Sequence, residues 1–268
     1  MAALAARTGA RWAPIPAFRP APASPAQEER RGDPSHGDLG TVPIVWSVRT
    51  TIPVVALTFD DGPDPEFTPR VLDVLRAHGV RATFNMMGWN CAHHPGLARA
   101  VAADGHEVGN HTWSHLDLSQ VDPRVTQEEI RRGREEIVRA TGLEPTWFRP
   151  PRGELTGTAL RCAAEQHDGV LMWTVNGGLP ILTPAQVVAD RLVDAVGPGA
   201  IVGLHDGIGR GTFDRRAPFA LDLAAHRRVE VEALDGIVRR LAARGYRFVT
   251  ASELVALPDD RPAVSPRS

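Results

Sequence analysis

Between residues 54 and 251, short β-rich apolar runs alternate with longer stretches whose apolar residues recur at helical spacing. That alternation restricts the fold more than any other feature of the chain. The runs that read as strands are VVALTFD (54–60), ATFNMM (82–87), HEVGNH (106–111), WFRPP (147–151), VLMWTV (170–175), AIVGLHD (200–206) and RFVTA (247–251). The segments between them, from TPRVLDVLRAHG to VEVEALDGIVRRLAARG, mostly open on Pro or Thr and several close on Gly, as helix capping predicts. Strands joined by helical crossovers pair in parallel. The expected architecture is therefore an α/β parallel sheet, closed as a barrel or left open.

In such sheets the working groups gather at the C-terminal ends of the strands. Here those ends carry Asp60 and Asp61, His111 and His115, Arg149, Asn176, and His205 with Asp206. Two adjacent carboxylates repel each other and resist leaving water, so a buried strand ending on them needs a reason. Asp-Gly and Gly-Pro also mark ordinary solvated turns. Five strand ends with carboxylates, imidazoles and a guanidinium point to a site instead.

The chain has 268 residues, 43% of them hydrophobic, enough for the core of one large domain. Residues 1–40, rich in Ala, Pro and Arg, read as a flexible tail, residues 41–257 as the catalytic domain, and residues 258–268 as a disordered C-terminal tail. Thirty Lys and Arg against 32 Asp and Glu give a net charge of −2, which provides no basic field for nucleic acid or an anionic membrane. No apolar window is long enough for a membrane helix, and the N-terminus has no apolar core of signal-peptide length, so these residues suggest the cytoplasm. Cys91 and Cys162 are too few for a disulfide framework; one bridge or two small buried hydrophobes both remain open.

NHTWSH sets His111 and His115 four apart, so both imidazoles reach one ion if the segment turns helically after its strand. An isolated H-x-x-x-H is often incidental, and this one lacks the glutamate of the H-E-x-x-H proteases. Two neutral histidines and one carboxylate form a facial set with positions left for water and substrate. A divalent ion there would relieve the Asp60–Asp61 repulsion, one carboxylate ligating and the other accepting a proton from water made acidic by the ion. Arg149, if near Asp60, would keep it ionised. His205 is either a proton donor to a leaving group or a hydrogen-bonded core histidine. Backbone N–H groups after RPPRG can face a developing oxyanion.

The motifs TFDDGP, GHEVGNHTWSH, RPPRG and GLHD, in that order over residues 50–255 and joined by ATF and RGYRFVTASEL, resemble those of the polysaccharide deacetylases, the NodB-homology or carbohydrate esterase family 4 group. The resemblance implies a distorted (β/α) barrel of about seven parallel strands that binds zinc or a similar divalent ion, with cobalt and nickel as alternatives. It implies hydrolysis of N-acetyl or O-acetyl groups on a carbohydrate, and on that ground a secreted or cell-envelope location. By position, Asp60 resembles the catalytic base, Asp61, His111 and His115 the metal ligands, Arg149 the residue orienting the base, and His205 the catalytic acid. Arg152 and Trp173 fall on the substrate and oxyanion side. No protein partner is implied.

Two departures stand out. Arg152 occupies a position where the family usually has an aromatic residue. In addition, WTVNGGLPILTP places Leu179 and Pro180 where the family commonly has an Asp-Trp pair, so the acidic partner of His205 is missing from its usual segment. After GLHDG, a longer connection, IGRGTFDRRAPFALDLAAH with Phe213, Phe219 and paired arginines, precedes the last helix and either shapes the cleft or is a surface insertion. Three readings follow: a deacetylase of an N-acetylglucosamine-type carbohydrate, a cytoplasmic deacylase of a small amino sugar or other amide, and a carbohydrate-binding relative with weak catalysis.

Overall fold

The computed structural model describes residues 41–178, 183–209 and 218–258, with the backbone alone at Phe219. The proposed tails and the Leu179–Pro180 departure therefore lie outside the described residues, apart from Pro258. Among the described residues nine strands form one sheet: β1 (Ile44–Val45), β2 (Val54–Asp60), β3 (Thr83–Met86), β4 (Glu107–Asn110), β5 (Trp147–Phe148), β6 (Gly169–Leu171), β7 (Val175–Asn176), β8 (Ala200–His205) and β9 (Arg247–Val249). Their order is β1-β6-β5-β4-β3-β2-β8-β7, every ladder is parallel, and β9 pairs with the start of β2. The ladder order is open. Residues 172–174 cross directly from β6 to β7, where the Thr174 N–H donates to the Ile201 carbonyl and Ser47 bridges Ala200, so the sheet curls into a distorted barrel.

The helices are α1 (Thr68–His78), α2 (Gly88–His93), α3 (Pro95–Ala103), α4 (Pro123–Thr141), α5 (Gly157–Glu165), α6 (Ala185–Ala195), α7 (Pro218–Ala243) and α8 (Ala251–Val255), with a 3-10 turn at Pro151–Gly153. The expected strand VLMWTV is split: β6 ends at Leu171 and β7 begins at Val175, because residues 172–174 form the crossing. β1, α2 and α8 were not anticipated, and Ala251, read as a strand end, instead opens α8 behind a Thr250–Glu253 capping box. The segment read as a long connection is helical in its second half, since α7 starts at Pro218.

β2 shows how the sequence sorts its two faces. Val55, Leu57 and Phe59 join the large core beneath the helices, while Val54 and Ala56 pack inside the barrel with Trp147, Leu171, Ile201 and Leu254. Thr58 and Asp60 continue that inner face upward, so the barrel interior passes from apolar at its base to charged at its top. Each fully buried large apolar side chain contributes about 1.5–3 kcal/mol, and this core offsets the desolvation of the charges above it. α4 fixes the far wall. Asp122 caps it by accepting from the Arg124 N–H, Gly142 ends it at a φ of 74°, and Ile130, Gly133 and Ile137 lie buried along one stripe. A Cβ on Gly133 would come within 2.5 Å of Asn110 Oδ1 and 2.6 Å of the Thr112 carbonyl carbon, so only glycine lets α4 approach the end of β4.

Candidate active site

Asp60 ends β2 on the inner face, and its Oδ1 accepts from the Arg149 guanidinium at 2.8 Å and from Asn85 Nδ2 at 2.7 Å. Arg149 is wholly buried: it also donates to Thr58 Oγ1 at 2.7 Å and to the carbonyls of Leu171 and Met172, each at 2.8 Å. Burial pushes the Asp60 carboxyl upward, but Arg149, His111, His205 and the Asn85 hydrogen bond outweigh it and hold the group below its ordinary range. The base candidate is therefore ionised and fixed in direction.

His111 and His115 converge, though not by a helical turn. Residues 111–115 are irregular, with Thr112 at φ 67° and His115 at φ 59°, and Asp61 opposite them sits at φ 75°. Left-handed backbone at non-glycine residues is strained and persists where its surroundings over-determine it. Here Asn110 Oδ1 accepts from the Thr112 N–H at 3.0 Å, Thr112 Oγ1 accepts from the His115 N–H at 3.1 Å, and Glu129 of α4 accepts from both Ser114 N–H and Oγ at 2.8 Å. His111 Nδ1 donates to the Arg149 carbonyl at 2.8 Å, which turns its Nε2 toward Asp61.

The fit to a metal ion is geometric. Asp61 Oδ1 is buried without a hydrogen-bond partner and lies 3.4 Å from Nε2 of both histidines, and the three ligand atoms are within 4.8 Å of one another. Tetrahedral ligands with bonds of about 2.1 Å stand about 3.4 Å apart, so the two spacings from Asp61 Oδ1 suit a divalent ion held between these groups. Burial raises the Asp61 carboxyl, yet His115, His111 and Arg227 bring it well below its usual range. Burial also takes His115 down to about 4, so that imidazole is neutral, as a ligand must be. Gly209 closes over the set, since a Cβ there would lie 2.5 Å from Asp61 Oδ1.

His205, at the end of β8, is one-quarter exposed and turns Nδ1 toward Glu230 of α7, 3.0 Å from Oε2. Arg227, one turn earlier on α7, donates to Asp61 Oδ2 at 3.1 Å and to the Gly207 carbonyl at 2.9 Å. His205 and Arg227, with Asp60, Asp61, His111, His115, Gly209, Pro150, Arg152, Trp173 and Leu223, line a cavity of about 290 Å³. Arg152 is half exposed at its rim, paired with Asp117 at 2.9 Å and Glu154 at 3.7 Å. Trp173 is half-buried, its ring centroid 5.7 Å from the Arg149 guanidinium carbon. The N–H groups of Gly153 and Glu154 are taken by the carbonyls of Pro150 and Pro151, which removes both as oxyanion donors.

Not every polar strand end joins the site. Asn176 is exposed and accepts from the Gly178 N–H, and Asp206 is buried beneath the site against Thr68 Oγ1 at 2.6 Å. Asn85, Arg227 and Glu230 were missed. Asn85 is a polar residue inside an apolar strand run and was detectable, whereas Arg227 and Glu230 read as the solvated face of a helix. Cys91 and Cys162 are free and buried, so the small-hydrophobe alternative holds. No helix among the described residues is long and apolar enough to cross a membrane.

Comparison with known proteins matches the same scaffold. Residues 47–168 fit the polysaccharide deacetylase family model. The chain is 34% identical over 207 residues to a peptidoglycan-N-acetylglucosamine deacetylase of Bacillus cereus, covering 77% of this chain and 70% of that protein. It is 37% identical over 195 residues to a chitooligosaccharide deacetylase of Bradyrhizobium, covering 72% of this chain and 87% of the other. The crystal structure of the Bc1960 peptidoglycan N-acetylglucosamine deacetylase superimposes with a TM-score of 0.68 at 32% identity, over 81% of this chain and 94% of that one. The curled parallel sheet, the motif order and these likenesses together place the chain in the polysaccharide deacetylase family.

Proposed function

We propose that the protein is a divalent-metal hydrolase that removes N-acetyl groups from an N-acetylglucosamine-type carbohydrate. One observation carries this reading: the unpartnered Asp61 Oδ1 faces two imidazoles at 3.4 Å while the neighbouring carboxylate, Asp60, is clamped by Arg149. Asp61, His111 and His115 would hold the ion, and zinc suits this donor set best. When bound, the ion supplies Lewis acidity, lowering the pKa of water to about 7 and polarising the acetyl carbonyl.

The side chains perform the rest. Asp60 accepts the proton of the attacking water, and Arg149 keeps it ionised and aimed. With Gly153 and Glu154 already bonded and no N–H on Pro150 or Pro151, the Arg152 N–H is the donor left in that turn for the oxyanion. Trp173 and Leu223 supply apolar walls for the sugar ring and limit water. His205 gives the proton on Nε2 to the leaving nitrogen, yielding acetate and a free amine. Acetate release from N-acetylglucosamine oligomers, with and without a chelator, tests the reading. Metal-dependent release supports it, and no release from any N-acetylated sugar by metal-loaded protein overturns it.

A further inference from the structure

The usual family segment for the acidic partner of the acid histidine carries no such residue here, yet His205 is not alone. We infer that Glu230, from α7, is the positioning residue that keeps a proton on Nδ1 of His205 and fixes the ring's direction, so that the proton the imidazolium gives up is the one on Nε2. This rests on the deacetylase reading above.

The geometry is specific. Glu230 is 4% exposed, and both of its oxygens face His205 Nδ1, at 3.0 and 3.3 Å. A buried carboxylate at that distance accepts from Nδ1–H, which directs Nε2 into the cavity. Burial pushes Glu230 upward, but His205 and Arg227 hold it below its usual range, so it is an anion. Among the described residues, the titratable and charged groups around His205 are Asp60 and Asp61 at the end of β2 and Arg227, Glu230 and His226 on α7. Of these, Glu230 is the one hydrogen-bonded to the imidazole.

The segment after β7 is shaped to admit this carboxylate. A Cβ on Gly177 would lie 2.6 Å from Glu230 Oε1 and 3.0 Å from Cδ, so the missing side chain at Gly177 is the space Glu230 fills. Arg227 sits 3.7 Å from Glu230 Oε2 and donates to Asp61 Oδ2, which ties the acid side of the site to the ligand side through one helix. In the reaction, the imidazolium transfers its Nε2 proton to the nitrogen as the C–N bond breaks. It is left neutral with Nδ1–H still on Glu230, and the next proton comes from solvent.

The test uses the metal-loaded full chain, its Glu230→Gln and Gly177→Ala variants, and two substrates. N-acetylglucosamine oligomers need a protonated leaving group, whereas 4-nitrophenyl acetate does not. Glu230→Gln is expected to lower kcat on the amide about 10- to 100-fold, part of what a general acid supplies. KM, metal content and aryl-ester turnover should stay within about twofold, and Gly177→Ala should move in the same direction. Equal losses on both substrates, or an undiminished amide rate, would overturn the assignment. A second readout is independent of turnover: imidazole 15N spectra of His205 at neutral pH should show protonated Nδ1 in the wild type and a tautomer mixture in Glu230→Gln. An unchanged spectrum refutes the positioning role. Wild-type protein without amide turnover but with the expected spectra would sink the deacetylase reading alone.

Discussion

Two carboxylates at opposite ends of the barrel, Glu107 half-buried and Asp61 buried, have opposite surroundings. Glu107, at the start of β4, is surrounded by neutral donors: Thr83 Oγ1 at 2.7 Å, Trp147 Nε1 and Thr146 Oγ1 at 3.2 Å, the Ser252 N–H at 3.2 Å, and the Ser252 hydroxyl. Asp61, just past the end of β2, leaves Oδ1 without a donor and directs it at two imidazoles. A saturated carboxylate acts as a staple between β3, β4, β5 and α8. An unsaturated one, held against its own desolvation by Arg227 and two histidines, retains capacity for a ligand. The difference separates structural polarity from functional polarity without reference to sequence motifs.

Substitutions can break this contrast, and the largest effects belong at the unsaturated end. His111→Ala should lose bound metal, measured by elemental analysis, and turnover by on the order of 1,000-fold or more, since the ion supplies several kcal/mol of transition-state stabilisation. Asp60→Asn should keep the metal but lose roughly 100- to 10,000-fold in rate; near-normal acetate release would remove Asp60 from the base role. Arg149→Met leaves Asp60 buried without its countercharge and should cost about 3–5 kcal/mol, read as a fall in the urea midpoint alongside lost activity.

The opposite end makes milder and purely structural predictions. His106 lies there, buried, accepting from the Ala82 N–H at 3.2 Å, and burial lowers its pKa from 6.5 to about 4. Because the folded value lies below the unfolded one, its contribution is fully present above pH 6.5 and is lost as pH falls toward 4, by up to about 3 kcal/mol. Unfolding free energies of the wild type and His106→Asn across that window should differ in slope, and parallel curves would contradict the buried neutral imidazole. Glu107→Gln should lower stability by about 1–3 kcal/mol with acetate release unchanged. If it instead impaired catalysis, the division between the two ends would fail.

Much of the site was legible because its parts lie at strand ends, where a parallel sheet concentrates side chains whatever their distance in sequence. Asp60, Asp61, His111, His115, Arg149 and His205 all follow from that one rule, and the cavity collects all of them but Arg149, which supports Asp60 from beneath. The rule over-reached at Asn176 and Asp206, because it does not tell which face of the sheet a terminal residue takes. Nor does it give the path between the histidines: their spacing suits one ion if the segment turns helically, whereas the chain uses strained backbone held by Asn110 and Glu129.

What the sequence determined by itself is the alternation that forces a parallel α/β sheet and the identity of the groups at its working edge, since both depend on local spacing and on chemistry carried by single residues. What only the tertiary structure decided is which of those groups are paired. The helix that brings Arg227 and Glu230 to Asp61 and His205 follows β8 but is distant in sequence from Asp61, and its charged residues have the spacing of any solvated helix face. Pairing between remote elements depends on crossing geometry and on the space left by residues such as Gly177, and neither is encoded in a local pattern.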